Sequence, residues 1–197
     1  MLASLVVPVA ESWRGLESTE AVLCSPYPIA CLPTGGALVG DYGDCRLKLL
    51  SLRADGKTWQ VSTFAGSGGM GHADGVGAAA SFSSIRGIAV NPNGTSCTVV
   101  DEFWIRSVDL VTGAVTTLAG SRPRGVADGE GAAASFHAPV GVAVLPDGRA
   151  AVTEFNRGGV RLVAGGTGAT TTLCGMGGPG VADGIGAAAR FDWPEDV

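Results

Sequence analysis

A ten-residue sequence that begins with Ala-Asp-Gly occurs three times in the chain, and we call it the decapeptide. The three copies are residues 73–82, 127–136 and 182–191. Their aspartates, Asp74, Asp128 and Asp183, lie 54 and 55 residues apart. A fixed period of this length is typical of repeat architectures, in which every repeat is one supersecondary unit. The repeat therefore limits the chain to a small set of folds.

Short apolar runs separated by turn signals fill the stretch before each decapeptide. In the first unit these runs are residues 28–33, 37–41, 46–52 and 59–66. Their β-branched or alternating residues predict strands, and the glycines and prolines between them predict tight turns. The same order returns in residues 86–120 and 140–175. Four short antiparallel strands per unit are typical of a β-propeller blade, so the sequence predicts an all-β propeller whose decapeptides connect successive blades.

Motifs that recur in this order resemble NHL repeats. They are Pro-x-Gly-Ile/Val-Ala-Val, a Pro-Asp/Asn-Gly turn and a closing Val-Thr-Thr-Leu-Ala-Gly. The turn between the second and third predicted strands of each unit, which we call the middle turn, is flanked by an acid and an arginine. The pairs are Asp41/Arg46, Asp101/Arg106 and Glu154/Arg161. The resemblance covers about residues 26–197, and similarity to the NHL domains implies a six-bladed propeller.

The resemblance also divides the chain into blades. It predicts blades at about residues 26–66, 82–120 and 136–175, a partial fourth at 176–197, and a separate N-terminal segment at 1–25. Propellers typically have four to eight blades, so the sequence predicts an incomplete ring. Because an open ring exposes strand edges and apolar blade faces, we expect the isolated chain to self-associate.

The three units depart from one another at two places. At the first strand, Arg86 stands before Gly87 where Val140 stands before Gly141. At the middle turn, the acid and the arginine are five residues apart in the first two units and seven apart in the third. The blades are therefore not interchangeable at these positions.

Composition narrows the classes of partner. The net charge is -5 with a pI near 4.9, whereas nonspecific nucleic-acid binding needs clustered Lys and Arg, so nucleic acid is disfavoured. The five cysteines contain no C-x-x-C pair and match no zinc pattern, and their odd number argues against a disulfide framework. No apolar run approaches the roughly 18 residues of a membrane span, which predicts a soluble chain. The compartment is left undetermined.

A glycine-rich loop resembles a nucleotide-binding turn. Residues 66–71 fit G-x-G-x-x-G after a predicted strand, and the pattern returns at residues 175–180. The equivalent residues 120–125 break the pattern, and Pro179 stands where a phosphate-binding helix would continue. The loop is therefore better interpreted as a connection between blades.

Each decapeptide aspartate precedes a glycine and an alanine-rich run. That order suits an aspartate that caps a short helical turn or closes an Asx-turn. A second interpretation places these aspartates on one rim of the propeller, together with the acids of the middle turns. The predicted rim acids are Asp74, Asp101, Glu102, Asp128, Glu154 and Asp183. Such a rim would bind Ca²⁺ or a basic protein surface, unless the arginines of the middle turns pair with it.

The leading functional hypothesis is a noncatalytic module whose rim loops bind a protein or a small ligand. Trp104 is its candidate aromatic anchor, with core packing as the alternative role. For this module no catalytic residue and no cofactor are predicted, and Ca²⁺ is its one candidate ion. The alternative function is part of a Ca- or Zn-dependent lyase or hydrolase, as resemblance to six-bladed propeller enzymes implies. His72 and His137 cannot by themselves supply the several histidines that such lyases use.

Overall fold

The computed structural model describes residues 23–197, which form three antiparallel sheets. The first sheet contains β1 (Pro26–Cys31), β2 (Ala37–Asp41), β3 (Arg46–Leu52) and β4 (Trp59–Ala65). The second contains β5 (Gly75–Val76), β6 (Ile85–Val90), β7 (Ser96–Asp101), β8 (Trp104–Asp109) and β9 (Ala114–Ala119). The third contains β10 (Pro139–Val144), β11 (Arg149–Glu154), β12 (Gly159–Ala164) and β13 (Thr170–Cys174). Short 3₁₀-helices lie at Gly77–Ala79, Gly131–Ala133, Phe155–Arg157 and Gly186–Ala188.

Each sheet is a meander of four consecutive strands, and the second gains β5 beside its outer strand β9. The predicted all-β fold with blades of four antiparallel strands is therefore confirmed. The three blades do not close a ring within residues 23–197. In the same range, none of the helices has the length and apolar character that a membrane crossing requires. Most of the predicted N-terminal segment, residues 1–22, lies outside the described residues.

Two apolar clusters join the blades. Leu38, Phe82 and Val99 are fully buried or nearly so between the first and second blades, and Val100 and Phe136 are buried between the second and third. Val99 and Val100 are neighbours on β7, and successive side chains of a strand point to opposite faces. One strand of the second blade therefore supplies both interfaces.

The first strand of each blade, which we call the inner strand (β1, β6 or β10), contains a bulge near its start. In β6, Ile85 pairs with Asp101 and Gly87 pairs with Val100, so Arg86 is an extra residue without a partner in the register. A β-bulge of this kind bends the strand and redirects a side chain. The register of β1 and of β10 shifts at the same place. The equivalent residues of the three bulges are Tyr27, Arg86 and Val140.

The decapeptide runs along the outer edge of the blade that follows it. Gly75 and Val76 form β5 on β9, and the 3₁₀-helix Gly77–Ala79 comes next. The N-cap of this helix is Val76, which makes no side-chain capping hydrogen bond, and the other two copies are alike. The predicted aspartate cap is therefore wrong, because Asp74 lies two residues before the cap and its carboxylate binds elsewhere.

Candidate functional site

The acids of the predicted rim lie around two buried arginines. Arg106 is fully buried, and its Nη2 donates to Asp74 Oδ1 at 2.8 Å and to the Ala73 carbonyl at 3.1 Å. Its Nη1 donates to Asp101 Oδ2 at 3.2 Å and to the Ser81 carbonyl at 3.3 Å. One guanidinium therefore holds the decapeptide against the second blade.

The third blade repeats this arrangement. The Nη2 of buried Arg161 donates to Asp128 Oδ1 at 2.7 Å and to the Ala127 carbonyl at 2.8 Å. Glu154 Oε2 lies 3.9 Å from Nη1, and the guanidinium lies 5.1 Å from the ring centroid of Phe136. We call the two sets arginine clamps: Arg106 with Asp74 and Asp101, and Arg161 with Asp128 and Glu154.

A threonine of the outer strand completes each clamp. Thr117 donates to Asp74 from its backbone nitrogen at 3.1 Å and from Oγ1 at 2.9 Å. Thr172 does the same to Asp128 at 3.2 Å and 3.1 Å. Desolvation acts to raise the pKa of both aspartates, but the bonds from threonine and arginine outweigh it and hold the pKa below its usual range. Both carboxylates are therefore ionised at neutral pH and engaged in the blade structure.

The second acid of each clamp, Asp101 or Glu154, is fully buried, and its pKa is raised instead of lowered. Burial raises the pKa of Asp101 despite backbone hydrogen bonds from Ser84 and Ser83, and it raises the pKa of Glu154 to about 7. Glu154 Oε1 accepts a hydrogen bond from the backbone N–H of His137 at 2.9 Å. Its Oε2 has no hydrogen-bond partner in the described part of the chain. The third blade therefore contains a buried carboxyl group that titrates near neutral pH.

The first blade places a lysine at the clamp position. Strand pairing aligns Lys48 with Thr63, as it aligns the clamp arginines with their threonines. Lys48 is buried, and its Nζ donates to Thr63 Oγ1 at 3.3 Å and lies 2.6 Å from Asp44 Oδ2. Arg46 is partly exposed, pairs with Asp44 and donates to the Ser67 carbonyl at 2.8 Å. The sequence motif therefore identified the wrong cation in this blade.

Two of the predicted rim acids lie outside the clamps. Glu102 accepts hydrogen bonds from Arg122 Nη2 at both carboxylate oxygens, each at 2.8 Å. Asp183 is exposed and forms no ion pair with the residues from 23 to 197. The other four acids are paired in the clamps, as the alternative interpretation of the middle-turn arginines proposed. Over the same range no three His, Cys, Asp or Glu side chains are grouped as metal ligands, and a Ca²⁺ site stays a prediction.

Trp104 is buried, with 6% of its surface exposed. His72 stacks on the indole, with ring centroids 4.4 Å apart and ring planes 7° from parallel. The Arg122 guanidinium lies 5.3 Å from the Trp104 ring centroid and 5.4 Å from that of Phe103. The expectation of an exposed aromatic anchor is wrong, because neighbouring side chains cover the ring.

An open cleft lies where the inner strands β1, β6 and β10 meet. It consists of two cavities of about 430 Å³ and 390 Å³ that share Tyr27 and Arg86. The bulge residue of each inner strand lines the 390 Å³ cavity, together with Tyr42. Ile29 lines the 430 Å³ cavity, and Tyr27, Ile29 and Tyr42 are each more than half exposed. We call this surface, formed by Tyr27, Ile29, Tyr42, Arg86 and Val140, the axial cleft.

A third cavity, of about 560 Å³, lies between the turns that follow β6 and β10. Asn91, Asp147 and Arg149 are among its lining residues. Arg149 Nε donates to Asp147 Oδ2 at 2.8 Å, and Asn91 Nδ2 donates to Ser96 Oγ at 2.6 Å. The polar groups of this cavity therefore bind one another, which makes the axial cleft the stronger candidate site.

Arg86 brings a positive charge into the axial cleft. Its side chain is exposed, and its Nε donates to Ser84 Oγ at 3.2 Å. Ser84 is buried, and its backbone N–H donates to Asp101 Oδ1 at 2.7 Å. Glu195 and Asp196 line the 430 Å³ cavity, but neither they nor any other acid among residues 23–197 forms an ion pair with Arg86.

The chain is similar to known proteins at the level of solved structures. No protein-family model matches the chain, and no curated protein matches it. Solved structures do match. An auxiliary nutrient binding protein from Bacteroides thetaiotaomicron is 16% identical with a TM-score of 0.64, over 86% of this chain and 41% of its own. One from Bacteroides ovatus is 18% identical with a TM-score of 0.57, over 84% and 36%. A catalytically inactive virginiamycin B lyase from Staphylococcus aureus, with quinupristin, is 14% identical with a TM-score of 0.50, over 75% and 40%.

These neighbours are β-propeller-like proteins. Within residues 23–197 the chain is an incomplete β-propeller. It spans about two fifths of the length of the structures that it matches. At these identities the likeness shows the fold of the propeller alone.

The sequence shows Arg86 as a departure from the repeat but does not predict a role for it in the propeller. A charged residue at a position where the third unit has Val140 was the signal that could have identified it. Tyr27 lies outside the first predicted run, which begins at Pro28, whereas β1 begins at Pro26. The equivalence of these residues becomes visible only through the bulge that each inner strand contains.

Proposed function

We propose that this propeller portion is a noncatalytic binding module that takes a small ligand in its axial cleft. The observation that carries the proposal is the convergence of three bulges on one open cavity, with Tyr27, Arg86 and Val140 in its lining. Bulges are over-represented next to functional sites, where they redirect side chains. Small ligands bind in concave sites with apolar and aromatic walls and few polar groups, which describes this cleft.

The NHL-like motifs support a place for the chain in the NHL family and a complete ring of six blades. In such a ring the axial cleft would form one side of a central channel. The two nutrient-binding neighbours support binding as a role for this fold, and the lyase neighbour supports catalysis. Rim loops receive less support as the binding surface, because the clamps engage four of the six predicted rim acids.

The alternative function is part of a Ca- or Zn-dependent lyase or hydrolase. Such an enzyme would need metal ligands in addition to those of residues 23–197, where no three candidate ligands are grouped. The axial cleft needs no further residue to present its guanidinium and its two tyrosines. Ligand binding is therefore the function that the geometry supports best.

An NMR screen of the whole chain against a fragment library of neutral and charged small molecules tests the proposal. We expect fragments that shift the amide resonances of β1, β6 and β10. Ile29→Trp should abolish these shifts, because Ile29 is exposed in the cleft and a larger ring fills it. Val111→Trp is the matched control, since Val111 is 84% exposed in the turn after β8. A screen in which no fragment shifts the inner strands would reject the proposal.

A further inference from the structure

The bulge position is where the inner strands differ in charge. Tyr27, Arg86 and Val140 occupy it in the three blades, and glycine follows the bulge residue in the second and third. Because a valine fills this position in the third blade, the propeller fold does not itself require an arginine there. The charge of Arg86 therefore calls for an explanation beyond the packing of the blade.

The contacts of Arg86 hold one part of its guanidinium and leave the rest unbound. The Nε–H donates to Ser84 Oγ, and a guanidinium has further N–H groups on Nη1 and Nη2 in the same plane. Among residues 23–197 these terminal groups have no hydrogen-bond partner, and Arg86 has no ion pair. Two parallel N–H groups in a fork match the oxygens of a carboxylate or a phosphate.

Serine anchoring makes this fork a defined feature of the site. Ser84 is buried, and Asp101 fixes its backbone from the clamp of the second blade. The hydrogen bond from Nε to Ser84 Oγ therefore ties the orientation of Arg86 to a buried part of the blade. An oriented guanidinium loses less conformational freedom when it binds an anion than a mobile one does.

The surroundings of Arg86 differ on its two sides. Glu195 and Asp196 line the 430 Å³ cavity, where their carboxylates disfavour an anion. Among residues 23–197, none of the side chains that line the 390 Å³ cavity is acidic, and Tyr27 and Tyr42 are part of that lining. Tyrosine offers an apolar ring face together with a hydroxyl group, so this side suits a ligand with an aromatic or apolar body.

We infer that the axial cleft takes a small anionic ligand, whose carboxylate or phosphate binds Arg86 while its apolar or aromatic body lies against Tyr27 and Tyr42. This inference rests on the proposed function and adds the chemical class of the ligand. The anionic group is placed in the 390 Å³ cavity, away from Glu195 and Asp196.

NMR titrations of the whole chain with benzoate, phenyl phosphate and neutral benzyl alcohol test this class. At least one anionic probe should bind roughly tenfold or more tightly than benzyl alcohol, as expected for charge-assisted hydrogen bonds. Tighter binding of benzoate would indicate a carboxylate site, and tighter binding of phenyl phosphate would indicate a phosphate site. Arg86→Val, which installs the residue of the third blade, should remove the preference. Arg53→Val, in the exposed turn after β3, should leave it intact.

Equal affinities for the anionic and neutral probes would overturn the inference, as would an Arg86→Val variant that keeps the preference. Urea unfolding checks that Arg86→Val is folded. If that variant does not fold, Arg86→Gln is used in its place to remove the charge. Fragment binding reports on the cleft regardless of charge. Fragments that occupy the cleft without a charge preference would reject the anionic class and keep the proposed function, whereas an empty cleft would reject both.

Discussion

The Nη2 atom of Arg106 lies 2.8 Å from Oδ1 of Asp74, although 32 residues of chain separate the two. Asp74 belongs to a decapeptide and Arg106 to β8, so the pair joins the connection to the blade that follows it. Asp128 and Arg161 have the same relationship at 2.7 Å across 33 residues. In the second and third blades, the aspartate of the repeat therefore fixes the preceding connection to the blade.

Replacing Asp74 with Asn should lower the free energy of unfolding by about 1–2 kcal/mol. The change leaves Arg106 buried with one counter-charge fewer, and the exposure of half of the Asp74 side chain limits the loss. Asp183→Asn is the matched control, because Asp183 has the same place in its decapeptide but no ion pair in the described part of the chain. We expect a change within about 0.5 kcal/mol for the control. Equal losses in urea unfolding would contradict the clamp.

The repeat period was sufficient to predict the blades because strand and turn preferences recur at fixed places in every unit. It was not sufficient to predict the clamps. Spacing matched Arg46 to Arg106, but the register between β3 and β4 puts Lys48 at the clamp position. The middle turn is longer in the first blade than in the second, and turn length sets strand register.

The axial cleft depends on strand register even more than the clamps do, because the bulges determine which residues line it. A bulge adds one residue to a strand, and the charge of Arg86 does not by itself show that Arg86 is that residue. Burial of Trp104 was equally hidden, because His72 and Arg122 reach it from other loops. These relationships arise from tertiary contacts, which a period of repeated motifs does not encode.

Glu154 should make the protein less stable as pH rises from about 4.5 to 7.5. Its pKa is raised to about 7 by burial in the folded state, against about 4.3 in an unfolded chain, so the folded state binds the proton more tightly. The stabilisation is complete below the unfolded pKa and is lost as pH rises through the folded pKa. The loss is about 3 kcal/mol. Glu154→Gln should remove this part of the pH dependence in urea unfolding.

The comparison of wild type with Glu154→Gln is needed because other groups titrate in the same window. Desolvation lowers the pKa of His137, with Arg157 and Arg124 acting in the same direction, so His137 destabilises the fold as pH falls below about 6.5. Its contribution is present in both proteins, so the difference between the two curves reports Glu154 together with its contact to the backbone of His137. Parallel stability curves for the two proteins would contradict a raised pKa of Glu154 in the folded state.

Phe191 should promote self-association of the isolated chain. It is 37% exposed, whereas its equivalents Phe82 and Phe136 are fully buried beside clamp arginines. Light scattering should give a mass above 19.6 kDa that rises with concentration. Phe191→Ser should move the mass toward the monomer, and Val111→Ser, at an exposed turn residue, should not. A monomer at every concentration would contradict the prediction.

Gly87→Ala should disturb both the fold and the axial cleft. A Cβ atom on Gly87 would lie 2.5 Å from the Val140 carbonyl oxygen and 3.0 Å from Val142 Cγ1. Because a backbone carbonyl cannot rotate aside, β6 and β10 must separate, at a cost of about 1–3 kcal/mol. Gly166→Ala is the control, since its Cβ would meet nothing within 4 Å. Arg86 precedes Gly87, so a shift of β6 also moves Arg86. We therefore expect Gly87→Ala to lower both the stability and the affinity for benzoate measured by NMR, and we expect Gly166→Ala to change neither. Equal stability of the two variants would mean that these inner strands are packed less closely.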